Sequence, residues 1–136
     1  MAALANADIL DAALNLIANN ADEIVLLANY TAVYSDTQSD TSAGGERIAK
    51  VSSLTSGNWT LAAGGTDGRK ITSDAQTSVS VSTTTASTAT HLAWVDTTNS
   101  RILVVTEIEP DRAGLSSGDT VDIPASSYTL RAPTFV

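Results

Sequence analysis

Residues 89–106 read Ala89-Thr90-His91-Leu92-Ala93-Trp94-Val95-Asp96, then Thr97-Thr98-Asn99-Ser100, then Arg101-Ile102-Leu103-Val104-Val105-Thr106. Two β-prone runs flank four polar residues, the pattern of a strand, a turn and a second strand. The same cadence runs through most of the chain. Short runs rich in Val, Ile and Thr are separated by Gly, Ser, Asn and Asp. No catalytic constellation accompanies it, which points to a protein that binds or coats rather than transforms.

Outward from that hairpin, strands are predicted at roughly 69–74, 77–83, 88–95, 101–108, 119–123 and 126–131, with a loop over 111–118 after Pro110. Ser and Thr alternate with apolar residues in Thr77-Ser78-Val79-Ser80-Val81-Ser82, as strands with one wet face require. Upstream, residues 46–54 form a candidate strand with Ile48 and Leu54 inward, and Asn58–Ala62 another around Trp59. The pairs Gly64-Gly65 and Asp67-Gly68 read as turn. Ile24–Ala28 is a short unbroken apolar run, which suits a strand covered on both faces; a helix is the competing reading. Strands spaced every 8–12 residues define the expected fold class: mainly β, an antiparallel β-sandwich or barrel-like domain with one N-terminal α-helix.

That helix is expected over residues 7–20. Ile9, Leu10, Ala13, Leu14, Leu16 and Ile17 fall on one side at a 3.6-residue period, and Asp8, Asp11, Asn15 and Asn19 on the other. Asn6 is the expected N-cap, Asp8 lies in the first turn, where the helix dipole favours an acid, and Asn19-Asn20 close the C-terminus. The apolar stripe packs on a sheet or on a neighbouring subunit. Tyr34–Gly45 is polar and ends in a Gly pair, so a mobile acidic loop is expected at 34–45. The organisation is a single domain over 1–136: a helical segment at 1–20, the loop, a β domain at 46–131 and a short tail at 132–136.

A length of 136 residues makes one domain the prior, and 43% apolar content suffices for a core. With 4% aromatics that core is built mainly from Leu, Ile, Val and Ala. The chain has no cysteine, hence no disulfide and no thiolate metal site. The N-terminus lacks the basic region of a signal peptide, and no apolar run is long enough to span a membrane. Net charge is −8. Residues 1–46 carry Asp8, Asp11, Asp22, Glu23, Asp36, Asp40 and Glu46 and no base. Such an end repels phosphate backbones, so nucleic acid is not an expected partner. It either docks on a basic partner or is a solvated face that keeps the protein soluble.

His91 is the single histidine. A packed, hydrogen-bonded histidine is the expectation there, since a general base needs a nucleophile and an orienting acid nearby. Asp36, Asp40 and Glu46 lack the spacing of an EF-hand. Glu107 and Glu109 share one strand end, and two such neighbours do not define glycosidase geometry. Gly64–Lys70 lacks phosphate-loop spacing, so its glycines are read as turn residues. Trp59 and Trp94 are expected as core anchors, with stacking on a sugar as the alternative. No catalytic, cofactor or metal residue is assigned.

In order, the helix Ala7-Asp8-Ile9-Leu10-Asp11-Ala12-Ala13-Leu14-Asn15, the run Asp67-Gly68-Arg69-Lys70-Ile71-Thr72, the 89–96 and 102–106 strands, and Ser117-Gly118-Asp119-Thr120-Val121-Asp122-Ile123-Pro124 cover most of the chain. Together they resemble the small proteins encoded beside the major capsid protein in many tailed bacteriophages. The resemblance implies a capsid decoration, or cement, protein. Such a protein would be made in the host cytoplasm and placed on the outer surface of the virion head. It would bridge subunits of the major capsid protein, often as a homotrimer, with no catalytic residue and no cofactor. The candidate contacts are Asp8, Asp11, Asp36, Asp40, Glu46 and Phe135. A receptor- or carbohydrate-binding module of a tail or fibre, which wants exposed aromatics, is the alternative. A hydrolase, which wants carboxylates in a deep cleft, is a third class.

Overall fold

A computed structural model describes residues 7–65 and 68–132. Asn6, Phe135 and the rest of the 133–136 tail lie outside the described residues, as do Thr66 and Asp67. In chain order the elements are α1 (Ala7–Asn20), β1 (Glu23–Leu27), α2 (Tyr34–Gln38), β2 (Arg47–Val51), β3 (Trp59–Ala63), β4 (Gly68–Ser73), β5 (Gln76–Ser80), β6 (Ser87–Asp96), β7 (Arg101–Leu115), β8 (Thr120–Ile123) and β9 (Ser127–Arg131). Single 3-10 turns sit at Thr41–Ala43 and Ser56–Asn58. The protein is mainly β, with antiparallel sheets and one N-terminal helix, and no sheet closes into a barrel.

The sheets run β2-β1-β6-β7, β3-β4-β9 and β5-β8. They share one core. Ile24 and Leu26 of β1, Leu92 and Trp94 of β6, Trp59 of β3, Ile71 of β4, Val79 of β5 and Val121 and Ile123 of β8 all belong to it. Trp59 and Trp94 meet edge to face across the sheets, ring centroids 4.7 Å apart at 64°. That geometry sets the positive edge of one ring against the negative face of the other. Both tryptophans are buried, as expected of core anchors.

The strand expected over Ile24–Ala28 forms as Glu23–Leu27, buried along its whole length, with Ala28 just outside it. Side chains alternate across a strand. Ile24 and Leu26 therefore enter the main core, while Val25 and Leu27 join Ala93 and Val95 in a second cluster beneath Tyr34 and Ile102. The 89–106 hairpin forms with the predicted turn at Thr97–Ser100. Asp96 organises that turn, accepting from the backbone and side-chain nitrogens of Asn99 and from Arg101 Nε.

Three expectations are corrected. The 34–45 stretch is not an irregular loop: it holds α2 and a 3-10 turn. Thr37 is buried, its hydroxyl donating to the Tyr34 carbonyl. Thr41 is tied to Thr83 and Ser87. A five-residue helix has no room for an apolar period, so polarity alone read as loop. The strand expected to stop at residue 108 continues to Leu115. β7 is an edge strand, where a proline such as Pro110 is tolerated because its missing N–H can face outward. The third correction concerns α1. Leu14, Ile17 and Ala18 are buried, but Ile9 and Leu16 of the same expected stripe are 65% and 52% exposed. The apolar arc of this helix is wider than its contact with the sheet. The Asn20 side chain does close the C-terminus, donating to the Leu16 carbonyl at 2.6 Å.

The β3–β4 turn explains its glycines. Gly65 has φ +92°, and a Cβ on Gly64 would come within 2.8 Å of the Arg69 backbone. Gly64 N–H donates to the Gly68 carbonyl at 3.0 Å, closing the turn.

Candidate docking surfaces

The expected contact acids fall into two groups. Asp8 and Asp11 lie on α1, which packs over β3, β4 and β9. Asp36, Asp40 and Glu46 lie on the stretch from α2 to β2. Most of these carboxylates are engaged within the chain. Arg69 grips Asp11 from β4, Nε to Oδ1 at 2.6 Å and Nη2 to Oδ2 at 3.1 Å. This hydrogen-bonded partner holds the Arg69 guanidinium pKa above its ordinary value. Asp36 accepts from the Thr31 hydroxyl, and its carbonyl accepts from Glu46 N–H. Glu46 accepts from Asn29 Nδ2 at 2.9 Å. Asp8 stands in the exposed first turn of α1.

Asp40 is the most constrained of them. Arg47 Nε donates to it at 2.8 Å and the Ser82 hydroxyl at 2.6 Å. The Arg47 bond outweighs the opposing effect of burial and, with Ser82, holds the carboxyl below the usual carboxylate range. Asp96 is also lowered. Burial works to raise it, but the two Asn99 donors and the Arg101 guanidinium prevail. The acidic end is thus a braced surface. Glu23, one of the acids of residues 1–46 but not among the candidate contacts, is braced too. It is buried, with Lys50 Nζ at 3.0 Å, Ser52 Oγ at 3.1 Å and Gln38 Nε2 at 3.0 Å. Gln38, 15 positions away, joins α2 to β1 through it, a contact that no local pattern reveals.

His91 is held as a packed histidine. Thr90 Oγ1 spends its one proton on the Ala28 carbonyl at 2.7 Å. The hydroxyl therefore accepts from His91 Nδ1–H at 2.8 Å, which fixes the tautomer of the neutral ring. Nε2 then faces Glu107 Oε1 at 4.0 Å, beyond hydrogen-bond distance. The Tyr30 ring meets the imidazole edge on.

Two depressions on the surface of the described residues are open to solvent. One, about 260 Å³, is lined by Glu107, Ile108, Glu109 and Pro124–Ser127. Arg112 does not pair with these glutamates but donates to the Pro110 carbonyl at 2.6 Å. The other, about 280 Å³, lies between Tyr30–Ala32 and Ile102–Val105. Among the described residues no three metal-ligating side chains converge, and no helix is long and apolar enough to cross a membrane. Among the described residues the large apolar side chains left exposed are Ile9, Leu16, Tyr30, Val33 and Tyr128.

Compared with protein-family models, with curated proteins and with solved structures, the chain matches none of them.

Proposed function

We infer that this chain is a structural virion protein. It binds the outer surface of a tailed-phage icosahedral capsid and reinforces it by bridging major capsid protein subunits, in groups of three as the resemblance implies. The observation that supports this best is the distribution of exposed apolar side chains. Ile9 and Leu16 stand out from a helix that is already seated, Tyr30 lines the open groove on β7, and Val33 is exposed just after the groove wall Tyr30–Ala32. Apolar groups in such positions gain by docking on another surface. Shallow open depressions suit contact with macromolecules better than enclosure of a substrate. The carbohydrate-binding alternative loses its basis in Trp59 and Trp94, since both stack inside the core.

The stabilising logic is linkage. A ligand that binds only the assembled lattice shifts the equilibrium toward it by mass action. Bridging several subunits makes each further contact at high effective concentration, so modest contacts suffice. The test compares heads with and without this protein under heating, and locates it on the particle. Greater survival of decorated heads and density over the shell are expected. Equal survival, or a position at the tail tip, overturns the reading.

A further inference from the structure

Glu23 opens β1 on the face of the sheet that α2 covers. It stands opposite Val95 of β6, and Val25, two residues on, stands opposite Lys50 of β2. Val25, Val95 and Thr37 of α2 are fully buried, so the carboxylate sits in dry surroundings, 7% exposed on its side chain. It holds two different nitrogens, one on each oxygen. Lys50 Nζ donates to Oε1 at 3.0 Å, and Gln38 Nε2 donates to Oε2 at 3.0 Å. The Gln38 amide is fixed in this orientation. Its other hydrogen goes to Thr37 Oγ1 at 3.1 Å, and that hydroxyl spends its own proton on the Tyr34 carbonyl. Both neighbours of Nε2 are therefore acceptors, which leaves the amide no other way round. An ion pair needs only Lys50 and Glu23. Gln38 adds an acyl carbon and a leaving nitrogen to the same carboxylate that holds a primary amine.

We propose that the side chains of Lys50 and Gln38 join in an intramolecular amide bond, with Glu23 carrying the protons. Glu23 takes one proton from the Lys50 ammonium, and the freed amine attacks Cδ of Gln38. In the tetrahedral adduct the Lys50 nitrogen gives up a proton and the Gln38 nitrogen gains one, both through Glu23. The Cδ–Nε2 bond then breaks, the new Nζ–Cδ bond remains, and ammonia leaves. It departs as ammonium with the proton first taken by Glu23, which returns to the carboxylate. Nothing is oxidised or reduced, and no co-reactant is needed. One carboxylate between two nitrogens is the arrangement this shuttle requires, and holding all three groups in one fold replaces a collision between molecules. Lys50 stands at the rim, its side chain 35% exposed, which gives the ammonium a way to solvent. The bond closes the stretch from residue 38 to residue 50 and ties α2 to β2. It is independent of the capsid reading and is measured on the free protein.

The experiment is the intact mass of the full chain, purified folded and weighed in denaturant. The mass is expected to fall short of the sequence mass by one ammonia. Trypsin then locates the loss. Residues 1–46 hold no base, so cleavage at Arg47, Lys50 and Arg69 of an unjoined chain separates 1–47, 48–50 and 51–69. The joined chain resists cleavage at Lys50 and yields 1–47 attached to 48–69. Lys50→Arg, which keeps a cation beside Glu23, and Gln38→Ala are expected to show their full sequence masses. So is Glu23→Gln, and circular dichroism checks that each variant is folded. The proposal is overturned by a wild-type chain of full sequence mass. It is also overturned by a loss of ammonia that persists in Lys50→Arg or Gln38→Ala, or by a bond that forms in Glu23→Gln.

Discussion

Arg69 holds Asp11 with two parallel hydrogen bonds across 58 positions of sequence, fastening the helix α1 to the strand β4. The fork of a guanidinium matches a carboxylate in this way and gives direction as well as attraction. Asp11 therefore does a structural job within the chain.

The first prediction follows from that clamp. Asp11→Ala should leave the sheets intact and loosen the helix. Amides of residues 10–18 are expected to exchange faster, while those of β1 and β6 keep their protection. The wild-type pair is partly solvated, so the difference between wild type and variant should shrink as salt is added. Unchanged exchange on α1 would mean that the apolar contact alone seats the helix.

A second prediction separates the two halves of the α1 apolar arc. Leu14 is fully buried in the main core and Leu16 is half-exposed. Leu14→Ala should destabilise by about 2–5 kcal/mol, the range for large-to-small changes in a core. Leu16→Ala should stay within about 0.5 kcal/mol, as a surface change does. Urea denaturation of both variants measures the contrast, and equal losses would refute the seating of this helix.

How much of this was legible depends on where the deciding contact lies. The hairpin at 89–106 and the doubly covered strand expected at Ile24–Ala28, which ends one residue earlier at Leu27, are local patterns, and both are legible in the sequence. The orientation of α1 is not local. Its apolar residues span more of the helix than β3 and β4 can cover, and periodicity does not say which part wins. α2 is stabilised by Thr37 beneath Tyr34 and by Gln38 on Glu23, neither of which leaves a mark in a five-residue stretch. The acids at 8–46 were visible as a charge imbalance. Their partners were not, because Arg69 lies in another sheet and Ser82 beyond β5.

A third prediction concerns the tryptophan pair. Trp94→Ala should cost about 3–5 kcal/mol, since it empties the centre of the shared core. Trp94→Phe should cost far less. Neither indole N–H has an acceptor among the described residues, so the phenyl ring gives up no hydrogen bond. Thermal unfolding of the two variants distinguishes these outcomes, and a Phe variant as weak as the Ala variant would show that the indole shape is indispensable.

The last prediction is an acid transition with a defined sign. Asp40 and Asp96 both titrate below the usual 3.8 of a carboxylate when folded. A lowered folded pKa means that the unfolded chain binds the proton more readily. Their contribution to stability is therefore complete above the unfolded pKa. It falls away as pH drops below about 4, through the folded values. Asp96 is the sharper test because it anchors the Thr97–Ser100 turn and Arg101 together. Asp96→Asn removes the titration and should be less stable than wild type at pH 7. On acidification it should lose less, so that the two melting curves converge toward pH 3. The measurement is thermal midpoint against pH from 7 to 3 for both proteins. Curves that stay parallel over that range would show that Asp96 carries no part of the acid sensitivity.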